Sequence, residues 1–368
     1  MKIAHLDTGR EWRGGQSQVA LLLRGLAARG VASVLLAPEG PLLERAAALG
    51  AATRPWHARG DLDAAAVAAA QAALRRERPD VVHVHTARAH ALGVPAARLA
   101  GVERVVASRR VAFPPRRDPG SRLKYRLPVD RWLCVSEAAR RALIEAGVED
   151  DRAVVVPSGV DLDAVRAAAG RPAEDLRARL GLSQAVLLLA TVGSFTAEKN
   201  HALLLEVASR LEARAPQAHF VWVGDGPLLE PLRRERDRRG LEGRVHLLGR
   251  RDDVPELVQQ CALLLVASRH EGLCTAAIEA EALGIPVVAT RAGGLPEAVV
   301  HGETGVLVPP GDAEAMTEAV AGLLSDPARR GRMGERSRDH AARFSADRMV
   351  EGTLAVYQDL VRSKSEAR

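Results

Sequence analysis

Short apolar runs alternate with longer amphipathic segments along the whole chain. Most of the short runs are apolar nearly throughout, as expected of parallel strands that are covered on both faces. The predicted strands are Ile3–Asp7, Ser33–Ala37, Val81–His85, Val105–Ser108, Trp132–Ser136, Val154–Pro157, Val186–Gly193, His219–Val223, Val245–Leu248, Leu263–Ala267, Val287–Thr290 and Val306–Val308. Ala- and Leu-rich helical segments lie between them. This alternation predicts an α/β protein with parallel sheets and right-handed crossovers.

The chain is long enough for two domains, since its 368 residues are more than a single domain with one hydrophobic core ordinarily contains. The polar stretch from about Asp163 to Ser183 separates two complete series of strands and helices. We therefore predict an N-terminal domain over 1–165, a linker over 166–182 and a C-terminal domain over 183–344. A last helix, over 345–364, is predicted to pack back on the first domain.

Composition narrows the class of protein only slightly. The net charge of +6 suggests an anionic partner, and nucleic acid, an acidic membrane and phosphorylated small molecules all fit. No apolar run approaches the ~20 residues that span a bilayer, and the first residues read as a strand instead of a signal peptide. The three cysteines lack metal or CxxC spacing, so we expect reduced thiols and a cytoplasmic protein.

The strongest candidate chemistry follows the strand Leu263–Ala267, where a helix is predicted to begin near Cys274 or Thr275. Open parallel sheets bind ligands at the carboxyl ends of their strands, and free amides at a helix start favour phosphate. Glu279 lies one turn further on, within reach of a ribose diol, and Glu271 precedes the helix. The alternative is a capping carboxylate at Glu271 and a solvated Glu279.

Three further strand ends carry glycines that permit close approach of a ligand. Gly193 and Ser194 precede Lys199, which can neutralise phosphate; Gly14 and Gly15 follow the first strand, and Gly224 follows His219–Val223. Taken singly, Lys199 is more simply a solvated loop side chain, and the glycines of the other two segments are consistent with an ordinary turn. The G-x-G-x-x-G dinucleotide fingerprint and the GKS or GKT phosphate loop are both absent.

No metal site is predicted. His83 and His85 share one face of a strand, but the sequence shows no third ligand with convincing spacing. We interpret His83 as a core residue and His85 as a site residue. The two Asp-Leu-Asp motifs at Asp61 and Asp161 precede Ala-rich helical segments and are more simply helix caps.

Taken together, these motifs resemble the family 4 glycosyltransferases of GT-B fold over nearly the whole chain. The resemblance is carried by Glu271 and Glu279 in E-x7-E spacing and by the elements Gly193…Lys199-Asn200, Gly224-Asp225-Gly226-Pro227, Gly293-Gly294-Leu295-Pro296-Glu297 and Gly302-Glu303-Thr304-Gly305, in that order. It implies two facing Rossmann-like domains with a cleft between them. It also implies a retaining, metal-independent transfer of a sugar from a nucleotide-sugar, with UDP the commonest nucleotide.

The resemblance also implies roles for individual residues. Glu279 would bind the ribose, Glu271 would lie near the donor sugar, and the amides of Gly272, Leu273 and Cys274 would hold sugar and phosphate. Lys199 would neutralise the departing diphosphate, Gly14 and Gly15 would lie near the phosphates, and His85 would contact the transferred sugar or the acceptor. The donor-binding set is completed by Thr275, Gly193, Ser194, Gly224, Arg250 and Arg251.

One departure concerns a cation. The family usually has an arginine where this chain has Ser194-Phe195, so more of the charge falls on Lys199, with Arg250 or Arg251 as candidate replacements near the base pocket. Arg109 and Arg110 begin a basic stretch that also includes Arg116, Arg117 and Arg122. That stretch is expected either to bind an anionic, lipid-linked acceptor or the inner membrane surface, or to be a solubilising loop.

Two other functions stay open at this point. A nucleotide-sugar epimerase has a similar architecture, although the E-x7-E spacing and Lys199 argue against it. A catalytically degenerate nucleotide-sugar-binding protein is favoured only by the missing arginine. No cofactor is expected beyond the nucleotide-sugar substrate, and nucleic acid is not an expected partner because aromatics form only 3% of the chain. A cell-envelope glycan or lipid is the expected acceptor.

Overall fold

The computed structural model describes residues 1–114, 124–172 and 174–363. The chain forms two compact units. The first comprises Met1–Gly159 together with the residues from Ala346 onward, and the second comprises Val160–Ser345. Among the described residues, no helix combines the length and the apolar character needed to cross a bilayer.

The first unit is built on a parallel sheet of seven strands within the described residues. Its strands are β1 (Lys2–Leu6), β2 (Ala32–Ala37), β3 (Ala52–Pro55), β4 (Val81–Val84), β5 (Val105–Arg109), β6 (Arg131–Cys134) and β7 (Ala153–Val155). Its helices are α1 (Gly14–Ala28), α2 (Pro41–Ala48), α3 (Ala64–Glu77), α4 (Ala87–Leu99), α5 (Glu137–Ile144) and the last helix of the chain, Ala346–Ser363. The strand order is β3-β2-β1-β4-β5-β6-β7, so the order in which successive strands are added across the sheet reverses between β1 and β4.

The last helix of the chain completes the core of this first unit. Val350, Tyr357 and Leu360 are buried against Ile3 of β1 and Leu22 of α1. Gly25 of α1 is a contact point, since a Cβ there would lie 2.4 Å from a methyl of Val350. The edge strand β3 has no counterpart among the predicted strands, because its sequence Ala-Thr-Arg-Pro has no apolar run and its side chains are at best half-buried.

The second unit carries a parallel sheet of six strands within the described residues, in the order β10-β9-β8-β11-β12-β13. Its strands are β8 (Leu187–Val192), β9 (Ala218–Val223), β10 (Val245–Gly249), β11 (Leu263–Val266), β12 (Val287–Thr290) and β13 (Gly305–Val308). Its helices are α6 (Leu162–Ala169), α7 (Leu176–Arg179), α8 (His201–Arg214), α9 (Leu229–Arg238), α10 (Val254–Val258), α11 (Thr275–Ala282), α12 (Leu295–Ala298), α13 (Ala313–Leu324) and α14 (Pro327–Ala341). We number the last helix of the chain α15.

The stretch predicted as a linker, 166–182, belongs to the second unit instead of joining two units. It forms the end of α6 and the whole of α7, and Leu176 is fully buried in the core that also contains Leu188 and Leu257. Its polar, arginine-rich composition suggested a linker because most of these side chains are exposed. The division of the chain therefore falls after Gly159 and again before Ala346.

The Asp-Leu-Asp motifs lie at helix starts. Asp161 precedes α6 and accepts a hydrogen bond from the Ala164 amide at 3.1 Å, while Asp63 accepts one from the Ala66 amide at the start of α3. Asp61 instead forms ion pairs with Arg88 and Lys124. These contacts are those of helix caps and surface ion pairs.

We expect Asp161→Ala to lower the free energy of unfolding by about 1 kcal/mol, because the cap of α6 loses its acceptor. Urea denaturation measures this change, and Asp163→Ala is the matched control because Asp163 is exposed and accepts no capping bond. A stabilisation by Mn²⁺ that disappears in Asp161→Ala would contradict the interpretation as a cap.

Candidate active site

In the second unit, the loops that follow β8 and β11 meet at the carboxyl edge of the sheet. These two strands are neighbours at the point where the strand order reverses, which is where open α/β sheets bind ligands. Lys199 ends a short 3-10 helix after β8, and Glu271 follows β11. The Lys199 Nζ donates to Glu271 Oε2 over 2.5 Å, and Ser268 Oγ donates to the same oxygen over 3.1 Å.

The ion pair keeps Lys199 charged. Burial opposes the ammonium form, but the neighbouring Cys274 and Glu271 favour it, and the net effect raises the pKa of Lys199. The two side chains are 25% and 14% exposed, so a ligand can reach the pair. A fixed positive charge therefore lies at the carboxyl edge of the sheet beside one carboxylate.

Helix α11 begins next to this pair with a run of free amides. Among the described residues, the backbone N–H groups of Gly272, Leu273, Cys274 and Thr275 find no acceptor. Cys274 holds the helix start with a left-handed backbone, φ 69°, and its side chain provides no cap. Free N–H groups at a helix N-terminus attract an anion, and the charge of Lys199 adds to this attraction.

Glu279 lies within α11, on its second turn, and stands apart from the other carboxylates. Its carboxylate forms no hydrogen bond or ion pair with any residue that the structure describes, and burial raises its pKa to about 7. The side chain is half-buried, so its charged form is poorly solvated and a ligand can supply the donors that the protein does not. Glu271, by contrast, is already paired with Lys199.

Glu279→Gln should stabilise the ligand-free protein at pH 8 by about 2 kcal/mol and leave it nearly unchanged at pH 4. Because the folded-state pKa is raised to about 7, the carboxyl group favours folding at low pH and loses this contribution as the pH rises through 7. Gln stays neutral throughout. Urea denaturation at the two pH values measures the difference, and an equal difference at both would contradict an unpartnered carboxyl.

Two glycines allow the loops after β8 and β9 to approach each other. A Cβ on Gly224 would lie 1.9 Å from the Gly193 carbonyl oxygen, and Gly224 has φ 149°. Gly193, with φ 153°, also contacts the Lys199 side chain, at 3.6 Å from a Cβ placed there. Ser194 is half-buried in the same loop, whereas Phe195 is fully buried against His201 and Trp222.

The two arginines named as replacement cations differ in whether they already form an ion pair. Arg251 is committed to Asp253, with nitrogen–oxygen distances of 2.8 and 2.6 Å, and lies 3.6 Å from Glu174. Arg250 is exposed and forms no ion pair with a described residue. Arg251 is therefore not a free cation in this structure, and Lys199 is the cation that the second unit places beside the free amides.

In the first unit, the residues named from the sequence also gather at a carboxyl edge, around the reversal between β1 and β4. Gly14 and Gly15 are the first residues of α1. The Arg110 side chain reaches Gly15, since its Cδ lies 3.9 Å from a Cβ placed there. Asp7 is nearby, and burial raises its pKa while Arg110 and hydrogen bonds from Gly9 and Gln16 oppose that rise.

The two arginines predicted to bind the acceptor, Arg109 and Arg110, differ in their hydrogen bonds. Arg109 donates to the Tyr125 hydroxyl over 2.7 Å and to the Phe113 carbonyl oxygen. Its guanidinium is therefore held by residues of the segment that follows β5. Burial lowers the pKa of Arg110 to about 10, which leaves it charged at neutral pH. Arg116, Arg117 and Arg122 of the basic stretch lie outside the described residues.

His85 and His83 are both buried, and the structure brings a third imidazole, that of His5 in β1, alongside them. The sequence analysis did not find this third residue, because pairing of β1 with β4 depends on strand order, which spacing does not reveal. His83 also contacts Tyr357 of α15, from the far end of the chain. A buried histidine in each of two predicted strands was the signal that could have drawn attention to His5.

Comparison with known proteins agrees with this architecture. Residues 172–340 match the family model "Glycosyl transferases group 1", and residues 12–164 match "Glycosyltransferase Family 4". HepE of Anabaena, solved in complex with UDP, superposes with a TM-score of 0.84 over 98% of this chain and all of its own, at 21% identity. That likeness concerns the fold.

Two relatives show the range of the family. The chain is 26% identical over 317 residues to N-acetyl-alpha-D-glucosaminyl L-malate synthase of Bacillus anthracis, covering 80% of this chain and 78% of that protein. It is 35% identical over 249 residues to D-inositol 3-phosphate glycosyltransferase of Mycolicibacterium paratuberculosis, covering 65% and 55%. The match thus spans about half the length of the inositol-phosphate enzymes. On the matches to both domains and the two parallel-sheet units, the chain belongs to the family 4 glycosyltransferases of GT-B fold and is a glycosyltransferase.

Proposed function

We propose that this enzyme transfers a sugar from a nucleotide-sugar, held by the second unit, to an acceptor hydroxyl with retention of anomeric configuration. The observation that carries the proposal is the unpartnered Glu279 carboxylate on the helix whose free amides begin beside Lys199. A ribose diol would give Glu279 the donors it lacks. A diphosphate would accept from the amides of Gly272 to Thr275.

Lys199 has a defined task in the proposed reaction. The bond between the sugar carbon and the diphosphate oxygen breaks, a bond to the acceptor oxygen forms, and the acceptor proton passes to an oxygen of the departing diphosphate. Negative charge develops on the departing diphosphate, where a preorganised ammonium and free amides stabilise it. These groups can supply the positive charge that a divalent metal would otherwise provide, which supports a metal-independent reaction.

UDP is the nucleotide we propose. HepE of Anabaena, which shares the fold, has been solved with UDP and with UDP-glucose. Glu279 can accept from the ribose of any nucleotide, so the base has to be identified by experiment. Retention rests on the family resemblance, and an NMR spectrum of the anomeric proton in the product would test it.

For the acceptor, we propose a cell-envelope glycan or a lipid-linked sugar at the inner membrane face. The support is the net charge of +6 and Arg110, which is charged, lacks an ion pair with a described residue and, because it is largely buried, can bind an anionic group of the acceptor and not the membrane surface. Flotation with vesicles that contain or lack anionic lipid tests the membrane contact. Equal recovery from both kinds of vesicle would exclude it.

Thermal unfolding against UDP, GDP, ADP and their sugars, without added metal, tests the donor site. A ligand that binds only the folded state raises Tm by mass action, by about 2.7 kcal/mol of stability at one hundred times Kd. We expect one nucleotide to raise Tm and the others to have little effect. Failure of every nucleotide to raise Tm would contradict the proposed donor site.

A further inference from the structure

Five polar groups form a continuous chain in the buried layer between the first sheet and α15. The Tyr357 hydroxyl lies 2.5 Å from His83 Nδ1, and His83 Nε2 lies 2.8 Å from Ser108 Oγ. Ser108 Oγ lies 3.5 Å from His85 Nδ1, and His85 Nε2 lies 3.0 Å from His5 Nδ1. The chain thus runs from the C-terminal helix across β5 and β4 to β1.

Strand register explains why these side chains meet. His5 is directly opposite His83 in the pairing of β1 with β4, so both point to the same face of the sheet. Ser108 follows Val106, the partner of His83 in β5, by two residues and therefore shares that face. Tyr357 closes the layer from above, with its ring edge-on to His83 at a centroid distance of 5.7 Å.

Each of the three imidazoles is neutral at physiological pH. Burial lowers the pKa of His5 to about 3 and lowers the pKa of His83 and His85 well below the ordinary value. The positive charge of Arg110 acts in the same direction on His83 and His85. A neutral imidazole has one N–H donor and one bare acceptor nitrogen, so each link in the chain has a direction.

The two possible directions leave different numbers of groups unsatisfied. If the Tyr357 O–H donates to His83 Nδ1, every later link is satisfied in turn and only the His5 Nε2–H is left over. In the opposite direction, the Tyr357 O–H loses its acceptor, since it contacts no other acceptor among the described residues, and the bare His5 Nε2 is also left over. His5 Nε2 has no partner in either case within the part of the chain that the structure describes.

Leaving the buried Tyr357 O–H without an acceptor costs enough free energy to favour the first direction over the second by about tenfold or more. We propose that the chain runs from Tyr357 to His5, so that Tyr357 and Ser108 are positioning residues that hold His85 with its proton on Nε2. This inference builds on the proposed function and on the contact of His85 with the sugar or the acceptor that the family resemblance implies. Both ring nitrogens of His85 are committed within the chain, so His85 orients a substrate by its fixed ring and does not take up the acceptor proton.

A bound metal ion is the competing interpretation, since the three imidazoles offer nitrogens within 4.8 Å of one another. Two observations argue against it. Both nitrogens of His83 already have partners, Tyr357 and Ser108. The positive charge of Arg110 also acts on His83 and His85, which would repel a cation.

Nitrogen-15 NMR of histidine-labelled protein tests the direction, because a protonated ring nitrogen and a bare one have distinct shifts. We expect His5, His83 and His85 each to carry the proton on Nε2. In Tyr357→Phe both directions leave two groups unsatisfied, so all three rings should become mixtures of tautomers. In Ser108→Ala, His83 should keep its proton on Nε2, while His85 and His5 become mixtures.

Tyr125→Phe is the matched control, because its hydroxyl contacts Arg109 and lies outside the chain of five groups. It should leave the three rings unchanged, and backbone amide spectra confirm that each variant is folded. Protons on Nδ1 in the unaltered protein, unchanged rings in Tyr357→Phe, or a His83 that alone becomes mixed in Ser108→Ala would overturn the inference. So would stoichiometric Zn²⁺ binding that shifts all three rings.

The tautomer spectra need no nucleotide or acceptor, so they test the direction of the hydrogen bonds independently of the proposed function. A kinetic measurement then connects the hydrogen-bonded chain to the proposed reaction. Tyr357→Phe should lower kcat for release of nucleoside diphosphate and leave the Kd for the nucleotide unchanged, because the proposed donor site lies in the other unit. A changed nucleotide Kd with unchanged kcat would contradict a positioning role for Tyr357.

Discussion

Lys199→Met should lower kcat for release of nucleoside diphosphate about 10² to 10³-fold, the loss measured when one preorganised charge-stabilising group is removed elsewhere. Lys199 is charged, held 2.5 Å from Glu271 and placed beside the free amides at the start of α11. The family's usual arginine is absent at Ser194, and Arg251 is committed to Asp253. Of the two candidate replacement cations, only the exposed Arg250 therefore lacks an ion pair among the described residues.

Lys2→Met is the matched control. Lys2 also forms an ion pair, with Glu77 at 2.7 Å, but in the first unit and away from any residue assigned to the reaction. It should leave the release rate within about twofold, since Glu77 keeps its second ion pair, with Arg54 at 2.6 Å. The assay compares initial rates at saturating donor, with Tm measured for both variants. Similar losses in both would mean that Lys199 acts through stability alone.

Loss of Lys199 also leaves Glu271 without its partner, so an electrostatic role has to be separated from a local rearrangement. The double variant Lys199→Met with Glu271→Gln removes both charges and keeps their shapes. If Lys199 acts on the diphosphate, the double variant stays as slow as the single one. Recovery of the rate in the double variant would instead assign the loss to the uncompensated carboxylate.

The sequence was sufficient for the parts of this enzyme that depend on local pattern. Apolar runs gave the central strands of both sheets, because such strands are buried on both faces. Edge strand β3 was missed, since Ala-Thr-Arg-Pro carries no such run. Lys199 and Glu271 were named because each follows a strand, and the structure adds that β8 and β11 are neighbours.

What spacing could not supply was the order of strands and the partners of buried polar groups. The contact of His5 with His85 requires β1 to lie beside β4, and that of His83 with Tyr357 requires α15 to return to the first sheet. Such pairings are decided by tertiary contacts, which a single sequence does not display.

Glu279→Ala should raise the Kd for the stabilising nucleotide about 10² to 10³-fold, because the ribose loses two hydrogen bonds to a charged acceptor, each worth about 1.5–3 kcal/mol. Glu279 is suited to this role because it has no partner among the described residues and its charged form is disfavoured by burial. A ligand that hydrogen-bonds to the carboxylate favours the charged form. Nucleotide binding should therefore release a proton below pH 7.

Isothermal titration calorimetry measures both effects, since titrations in buffers of different ionisation enthalpy count the protons released. At pH 6 we expect the unaltered protein to release close to one proton on binding, because its pKa falls from about 7 to below the working pH. Glu279→Gln, which keeps the shape of the side chain, should bind weakly and release none. Glu281→Gln is an informative comparison, because Glu281 lies on the same helix but is paired with His340 at 2.7 Å. Proton release that persists in Glu279→Gln would assign the linkage to another group and remove the main support for the ribose contact.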